Sequence, residues 1–169
     1  HLLTLDVVTE DLDPALVGRS EPRDLRAVYI PLVAGCVINW AIVASPNAGW
    51  AEAMAGCSHV VHMASPIPLH NVKDENELIV PARDGALRAL RFARDAGVTR
   101  LVMTSSVAAI FYGRAEGKDS FTEADWTDVS AKQVSAYAKS KTIAERAARD
   151  WIAAEGGTLE FVTDNPGLV

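Results

Sequence analysis

From residue 58 onward, stretches with the pattern of a β-strand alternate with stretches with the pattern of a helix, and this order constrains the fold strongly. In chain order the predicted segments are strand 58–65, helix 76–96, strand 100–106, helix 135–155 and a strand over 159–162. Glycine follows each helix, at Gly97 and Gly156, as is common where helices end. Strands joined by helices form right-handed βαβ units with a parallel sheet. The sequence therefore predicts an α/β fold.

Each of the two long predicted helices has one apolar face. In helix 76–96, Leu87, Leu90 and Ala93 share a face, although Pro81 leaves the start of this helix open because it removes a backbone donor. Helix 135–155 has a broader face, made by Ile143, Ala144, Ala147, Ala148, Trp151 and Ile152. A short helix is also predicted over 49–56, closed by glycine.

The composition excludes several classes of protein. The chain has 169 residues, of which 49% are hydrophobic and 22% charged, as is typical of one globular domain. A net charge of −6 argues against a nucleic-acid partner, which needs a concentrated basic surface. The longest apolar stretch, 29–44, is too short for a membrane span, and no basic segment precedes an apolar core as in a signal peptide. Cys36 and Cys57 form no CxxC pair, so we expect neither zinc nor a disulfide, and a cytoplasmic location.

Three short segments that contain polar residues stand where the predicted strands end. They are Ala64-Ser65, Thr104-Ser105-Ser106 and Asn165-Pro166. Ligands of open parallel sheets bind beyond the carboxyl ends of the strands. These three segments are therefore the expected edge of a binding site.

Tyr137 and Lys141 form a YxxxK pair and stand four residues apart, so they share a face of the predicted helix. An ammonium favours the ionised form of a neighbouring phenol, and a phenol in that setting can act as a general acid toward a carbonyl. Ser106, 31 residues earlier, could bind the same carbonyl oxygen. A surface Tyr-Lys pair without chemistry is the alternative interpretation of the motif.

Other polar side chains favour structural interpretations. His62 lies in a buried strand and is interpreted as a packed core histidine. His59, His62 and His70 lack the spacing of a metal site, so no metal is expected. The acidic residues of 116–128 are interpreted as a solvated loop, and Trp126 as a packing residue.

Residues 49–169 resemble the extended short-chain dehydrogenase/reductases, and most closely the branch of dihydroflavonol-4-reductase, cinnamoyl-CoA reductase and bacterial aldehyde reductases. The stretches that carry the resemblance occur in the family's order: AGCSHVVHMASPIP, ENELIVPARDGALRALRFARDAGVTRLVMTSS, FTEADW, YAKSKTIAERAARDWIAAEGG and NPGLV. The resemblance implies a Rossmann-like, doubly wound parallel sheet that binds a nicotinamide dinucleotide.

The resemblance also implies roles for individual residues. Ser106 would hydrogen-bond the substrate carbonyl, Tyr137 would donate the proton and Lys141 would hold the nicotinamide ribose. Tyr137 would also contact the cofactor, and the other residues implied to line it are Ala64, Ser65, Thr104, Pro166, Gly167, Leu168 and Val169. Pro66 and Phe111 would contact the substrate.

The implied reaction is reduction of a carbonyl to an alcohol with NADP, with NAD left open. Flavonoid reductases have a polar residue five positions after the catalytic serine, where this chain has Phe111, so a simpler aldehyde or ketone is favoured. The family often forms homodimers through the helices at 76–96 and 135–155.

Residues 1–48 depart from the family pattern. They hold Gly18 and Gly35 outside any GxxGxxG turn, and Val43 stands where the family usually has an aspartate near the adenine. The family also continues beyond the position of Val169 with a substrate lobe. We therefore interpret 1–48 as an atypical N-terminal segment and 49–169 as the central part of an NAD(P)-binding domain. On this interpretation the fold is incomplete, and the chain is a partial or altered form of a reductase. A changed reading frame or a divergent N-terminus would explain the first departure.

Two alternative functions are also compatible with the sequence. A nucleotide-sugar epimerase or dehydratase has the same fold, although the ASPIP and NELIVPA stretches favour the reductase branch. A non-catalytic module that binds a nucleotide or a protein partner is the alternative from another class, and the missing glycine turn favours it.

Overall fold

The computed structural model describes residues 50–67, 72–113 and 120–167. The predictions about Gly18, Gly35, Cys36, Val43, His70, Leu168 and Val169 therefore concern residues outside the described ones. The helices are α1 (Trp50–Met54), α2 (Asn76–Asp95) and α3 (Ala136–Glu155), with one 3-10 turn at Val107–Ala109. The strands are β1 (His59–His62), β2 (Arg100–Thr104) and β3 (Glu160–Asp164). The predicted alternation of strand and helix is confirmed.

The three strands form a parallel sheet in the order β1-β2-β3. Val60, Leu101 and Phe161 stand side by side in its register. α2 connects β1 to β2 and α3 connects β2 to β3, so the described residues form two consecutive βαβ units. This is the Rossmann-like α/β arrangement that the sequence predicted.

The core lies between one face of the sheet and the paired helices α2 and α3. Leu90 of α2 and Leu101 of β2 are both 0% exposed, and burial of a leucine contributes about 1.5–3 kcal/mol. Trp151 of α3 and Met54 of α1 close the same cluster. The core therefore fixes the two helices over the strands and, with them, the residues at the strands' carboxyl ends.

The opposite face of the sheet is more exposed to solvent than the core face. Val61, Val102 and Val162 form one row across it, and Val61 and Val162 are 44% and 46% exposed. Asp164 is exposed on the same side at the end of β3, which explains how a carboxylate is tolerated in this strand.

Local interactions set the ends of the long helices. α2 continues through Pro81 and ends before Gly97, whose φ of +72° favours glycine. α3 begins after Ser135, whose backbone is extended. The Ser135 hydroxyl caps the helix by accepting a hydrogen bond from the Ala138 amide at 3.2 Å. None of the helices in the described residues has both the length and the apolar character needed to cross a bilayer.

Replacing Ser135 with alanine removes the N-cap of α3 and is expected to lower the free energy of unfolding by about 1 kcal/mol. Urea denaturation followed by circular dichroism measures this change. Thr158→Ala alters an exposed residue in a turn and serves as the control, with an expected change within about 0.5 kcal/mol. Equal stability of Ser135→Ala and the unmodified chain would contradict the capping role.

Candidate active site

Hydrogen bonds join the two chain segments that follow β2 and β3. The Ser105 amide donates to the Asp164 carbonyl at 2.7 Å, and the Val107 amide donates to the Pro166 carbonyl at 3.1 Å. The Asn165 side chain donates from Nδ2 to the Ser106 carbonyl at 3.1 Å. The predicted polar edge therefore exists at β2 and β3, with Pro166 and Gly167 beside the serine-bearing turn.

Ala64 and Ser65 follow β1 at the same edge. They line a narrow cleft with Thr104 of β2 and Lys141 of α3, whose volume of about 10 Å³ is no more than that of one water molecule. The remaining lining residues are His62, Ala82, Ala86, Met103, Ser105 and Ala144. Four of the predicted cofactor residues thus share one surface.

Ser106 caps the 3-10 turn that follows β2. Its Oγ accepts a hydrogen bond from the Ala108 amide at 3.1 Å, and the residue is 8% exposed. Because this contact uses an oxygen lone pair, the hydroxyl proton stays available for donation to another acceptor. Ser106 can therefore hold its oxygen in place and donate a hydrogen bond at the same time.

Tyr137 and Lys141 share a face of α3, as predicted. The Lys141 Nζ lies 5.8 Å from the centroid of the Tyr137 ring. That ring is half-buried against a small cluster containing Ala108, Val134 and Ala138. Since Ala108 is two residues from Ser106, the cluster places Tyr137 beside the serine-bearing turn.

Lys141 is 7% exposed, and its Nζ donates to the Thr104 carbonyl at 3.4 Å. Burial lowers the pKa of Lys141 to about 8, while the charge of Glu145 opposes that change. Within the described residues this is the one hydrogen bond of Nζ, so an ammonium with three donors retains capacity for further acceptors.

His62 is packed in the core, as the sequence analysis interpreted it, and is 6% exposed. Burial, with a smaller contribution from the charge of Lys141, lowers the pKa of His62 to about 4. The imidazole is therefore neutral at physiological pH and adds no second cation beside the ammonium. Trp126 also packs, with the Arg146 guanidinium 5.4 Å from its ring centroid.

The residues predicted to contact substrate occupy two places. Phe111 is 36% exposed, and its ring centroid lies 4.3 Å from that of Tyr112 and 6.1 Å from that of Phe121. The Tyr112 amide donates to the Thr127 Oγ1, which itself donates to the Ala108 carbonyl, so this aromatic group is attached to the turn after Ser106. Pro66 is buried beyond the end of β1.

Glu145, which was not predicted from the sequence as a site residue, is 3% exposed and lies one helical turn after Lys141. Burial raises the pKa of its carboxyl, but hydrogen bonds from Ser105, Asn165 and Arg149 outweigh burial and hold it below its usual value. The Ser105 contact is of looser geometry than the other two, since its Oγ makes no hydrogen bond of standard geometry within the described residues. A signal was present in the sequence: Glu145 lies between Ala144 and Ala148 on the apolar face.

Comparison with known proteins gives one family match. Residues 45–163 match the model of the 3-beta hydroxysteroid dehydrogenase/isomerase family. This range begins four residues before the stretch that carried the resemblance and spans well over half of the chain.

Curated relatives and solved structures agree with this match. Dihydroflavonol 4-reductase of Hordeum vulgare is 31% identical over 163 residues, which cover 93% of this chain and 44% of the relative. Cinnamoyl-CoA reductase CAD2 of Medicago truncatula is 40% identical over 120 residues, which cover 68% of this chain and 36% of the relative. Yeast methylglyoxal/isovaleraldehyde reductase Gre2, solved with NADPH, is 28% identical with a TM-score of 0.61 over 72% of this chain and 39% of that protein.

The chain thus spans less than half the length of the relatives it matches. The match to the Hordeum vulgare reductase reaches into residues 1–48, whereas the family model begins at residue 45. All three relatives are reductases by name.

Proposed function

The chain belongs to the 3-beta hydroxysteroid dehydrogenase/isomerase family, and from this membership we propose that it serves NADP-dependent reduction of a small aldehyde or ketone to an alcohol. The observation that carries the proposal is the placement of Ser106, Tyr137 and Lys141 around one end of the sheet. The relatives named above support the reductase class over the epimerases and dehydratases of the same fold.

The residues present fit the nicotinamide-ribose part of a dinucleotide. Lys141 is a buried ammonium with donors to spare at the carboxyl edge, where nucleotide ligands of such sheets bind. Small residues, Ala64 and Ser65, stand beside it. When bound, a reduced nicotinamide supplies the two electrons and the hydrogen that reduce the carbonyl carbon.

The chain's own residues supply the rest of the chemistry. Ser106 donates a hydrogen bond to the carbonyl oxygen, and Tyr137 transfers its phenolic proton to that oxygen as it becomes an alkoxide. The Lys141 ammonium, 5.8 Å from the Tyr137 ring centroid, stabilises the resulting phenolate and donates to the ribose hydroxyls. Solvent then returns a proton to Tyr137.

The substrate class follows from Phe111 and its neighbours. Phe111 and Tyr112 present partly exposed aromatic surface just after the serine-bearing turn. The side chain of Phe111 itself offers no hydrogen bond to a polyhydroxylated ring, which favours a simple aldehyde or ketone. Pro66, Pro166 and Gly167 are proposed to complete the binding surface, together with Leu168 and Val169, which lie outside the described residues. A homodimer through α2 and α3 is also proposed.

Titration with NADPH, followed by nicotinamide fluorescence, tests the proposal directly. We expect saturable binding, weakened at least tenfold by Lys141→Met because the donors to the ribose are lost. Lys139→Met is the matched control, since Lys139 lies on the same helix and pairs instead with Glu75 at 2.6 Å. Turnover is then measured with methylglyoxal, isovaleraldehyde and a dihydroflavonol.

Three results would contradict the proposal or one of its parts. Absence of binding at millimolar NADPH would favour a non-catalytic module for this chain. Equal weakening by Lys139→Met and Lys141→Met would mean that Lys141 has no specific role in binding. Faster turnover of the dihydroflavonol than of the small aldehydes would overturn the assignment of substrate class.

A further inference from the structure

We propose that Glu145 is a positioning residue that holds the serine-bearing turn against α3 through the side chain of Asn165. The structural part of this inference stands on contacts alone. Its catalytic consequence rests on the proposed function.

One amide nitrogen connects the helix to the turn. Asn165 Nδ2 donates to Glu145 Oε2 at 2.9 Å and to the Ser106 carbonyl at 3.1 Å. An amide nitrogen carries two hydrogens, so both are used in this bridge. The same Ser106 carbonyl accepts from the Ala109 amide at 2.9 Å, which closes the 3-10 turn. The Glu145 carboxylate is thus linked to the Ser106 backbone through one side chain, in addition to the backbone hydrogen bonds of Ser105 and Val107.

The second carboxylate oxygen is fixed as well. Glu145 Oε1 accepts from Thr163 Oγ1 at 3.0 Å and from Arg149 Nη2 at 2.8 Å. Arg149 Nη2 also donates to Thr163 Oγ1 at 2.7 Å, so β3 and α3 share one closed network. A buried carboxylate with its oxygens satisfied in this way has little freedom to move. It can therefore serve as a rigid anchor for Asn165.

Glu145 also faces the proposed active site through Lys141, one turn earlier on α3. The charged and titratable groups around Lys141 are Glu145 and Tyr137 of α3 and His62 of β1. Around Glu145 they are Arg149 and Lys141 of α3, and the groups from the strand ends (Ser105, Thr163 and Asn165) are neutral. Glu145 is thus the only anion among these groups within the described residues.

The test compares Glu145→Gln with Asp150→Asn, which removes the same charge from an exposed position of α3. In Glu145→Gln an amide group replaces one acceptor and faces the donors of Asn165 or Arg149. We expect hydrogen exchange of the Val107 and Ala109 amides to accelerate about tenfold or more, while exchange of the Leu101 amide in β2 changes less. Asp150→Asn is expected to leave all three unchanged.

Two further readouts separate positioning from general support of the fold. The pKa of Lys141, measured by NMR on lysine labelled at the ε carbon, is expected to fall in Glu145→Gln and to stay in Asp150→Asn. In turnover assays kcat is expected to fall about tenfold while the dissociation constant of NADPH changes less than threefold.

Each outcome has a defined meaning. Unchanged exchange at Val107 and Ala109 in a folded Glu145→Gln variant would overturn the inference. If exchange accelerates but the unmodified chain reduces no carbonyl, the positioning role stands and the proposed function fails. If Glu145→Gln does not fold, Asn165→Ala removes the bridge without altering the buried charge, and unchanged exchange there would equally overturn the inference.

Discussion

Replacing Tyr137 with phenylalanine is expected to lower kcat for carbonyl reduction by about 100- to 10,000-fold, the usual contribution of a positioned general acid. The substitution removes one oxygen and leaves the ring packed beside Ala108, Val134 and Ala138. The fold and the cofactor site should therefore survive. Steady-state kinetics with NADPH and a small aldehyde measure the loss.

The controls for Tyr137→Phe are internal to the same protein. Thermal unfolding should shift by only a few degrees, and the dissociation constant of NADPH should stay within about threefold, because Lys141 keeps its contact with the Thr104 carbonyl. Residual turnover reports what Ser106, Lys141 and the bound cofactor contribute without the phenol. A kcat within threefold of the unmodified protein would remove Tyr137 from the reaction.

The order of elements was predictable because hydrophobic periodicity and glycine stops act locally. Gly97, with φ of +72°, ends α2 where the sequence placed the end. The end of β3 was harder to predict, since Asp164 looks out of place in a strand until the exposed face of the sheet is known. Which face of a strand is covered depends on tertiary packing rather than on the strand itself.

The residues of the site also differ in how far local sequence patterns could predict them. Tyr137 and Lys141 were predictable because four residues on a helix always share a face. Glu145 has the same spacing from Lys141, yet a glutamate on a helix is usually solvated. Its importance comes from Asn165 and Thr163, which lie 20 and 18 residues away along the chain. Contacts of this kind follow from how α3 packs against β3, which no local pattern in the sequence specifies.

The buried ammonium of Lys141 lowers the free energy of unfolding, and this effect can be measured in the absence of cofactor. The folded-state pKa of Lys141 is about 8, against an ordinary value of 10.5, chiefly because the ammonium is buried. Between these two pH values the unfolded chain binds a proton that the folded chain does not. The free energy of unfolding therefore rises with pH across this window, and at pH 7 the folded state bears the full cost of the buried charge.

Lys141→Met should consequently make the protein more stable at pH 7 while weakening NADPH binding. Methionine fills a similar volume without a charge, and a shift of one pKa unit corresponds to about 1.4 kcal/mol, so we expect a gain of about 1–3 kcal/mol. The gain in stability is reduced because Glu145 loses the favourable charge of Lys141. Glu145 nevertheless keeps its hydrogen bonds to Arg149, Thr163 and Asn165. Urea denaturation at several pH values measures the difference.

The pH dependence separates this explanation from better packing by methionine. The advantage of Lys141→Met should shrink as pH rises from about 8 toward 10.5, because the folded chain then carries a neutral lysine. A gain that is constant with pH would indicate packing instead. Lys139→Met breaks the ion pair between the largely buried Lys139 side chain and the exposed Glu75 carboxylate. It should lose about 1 kcal/mol and show no such window. If Lys141→Met is less stable than the unmodified chain at pH 7, the ammonium does not carry a burial cost, and its proposed availability to a cofactor loses its physical basis.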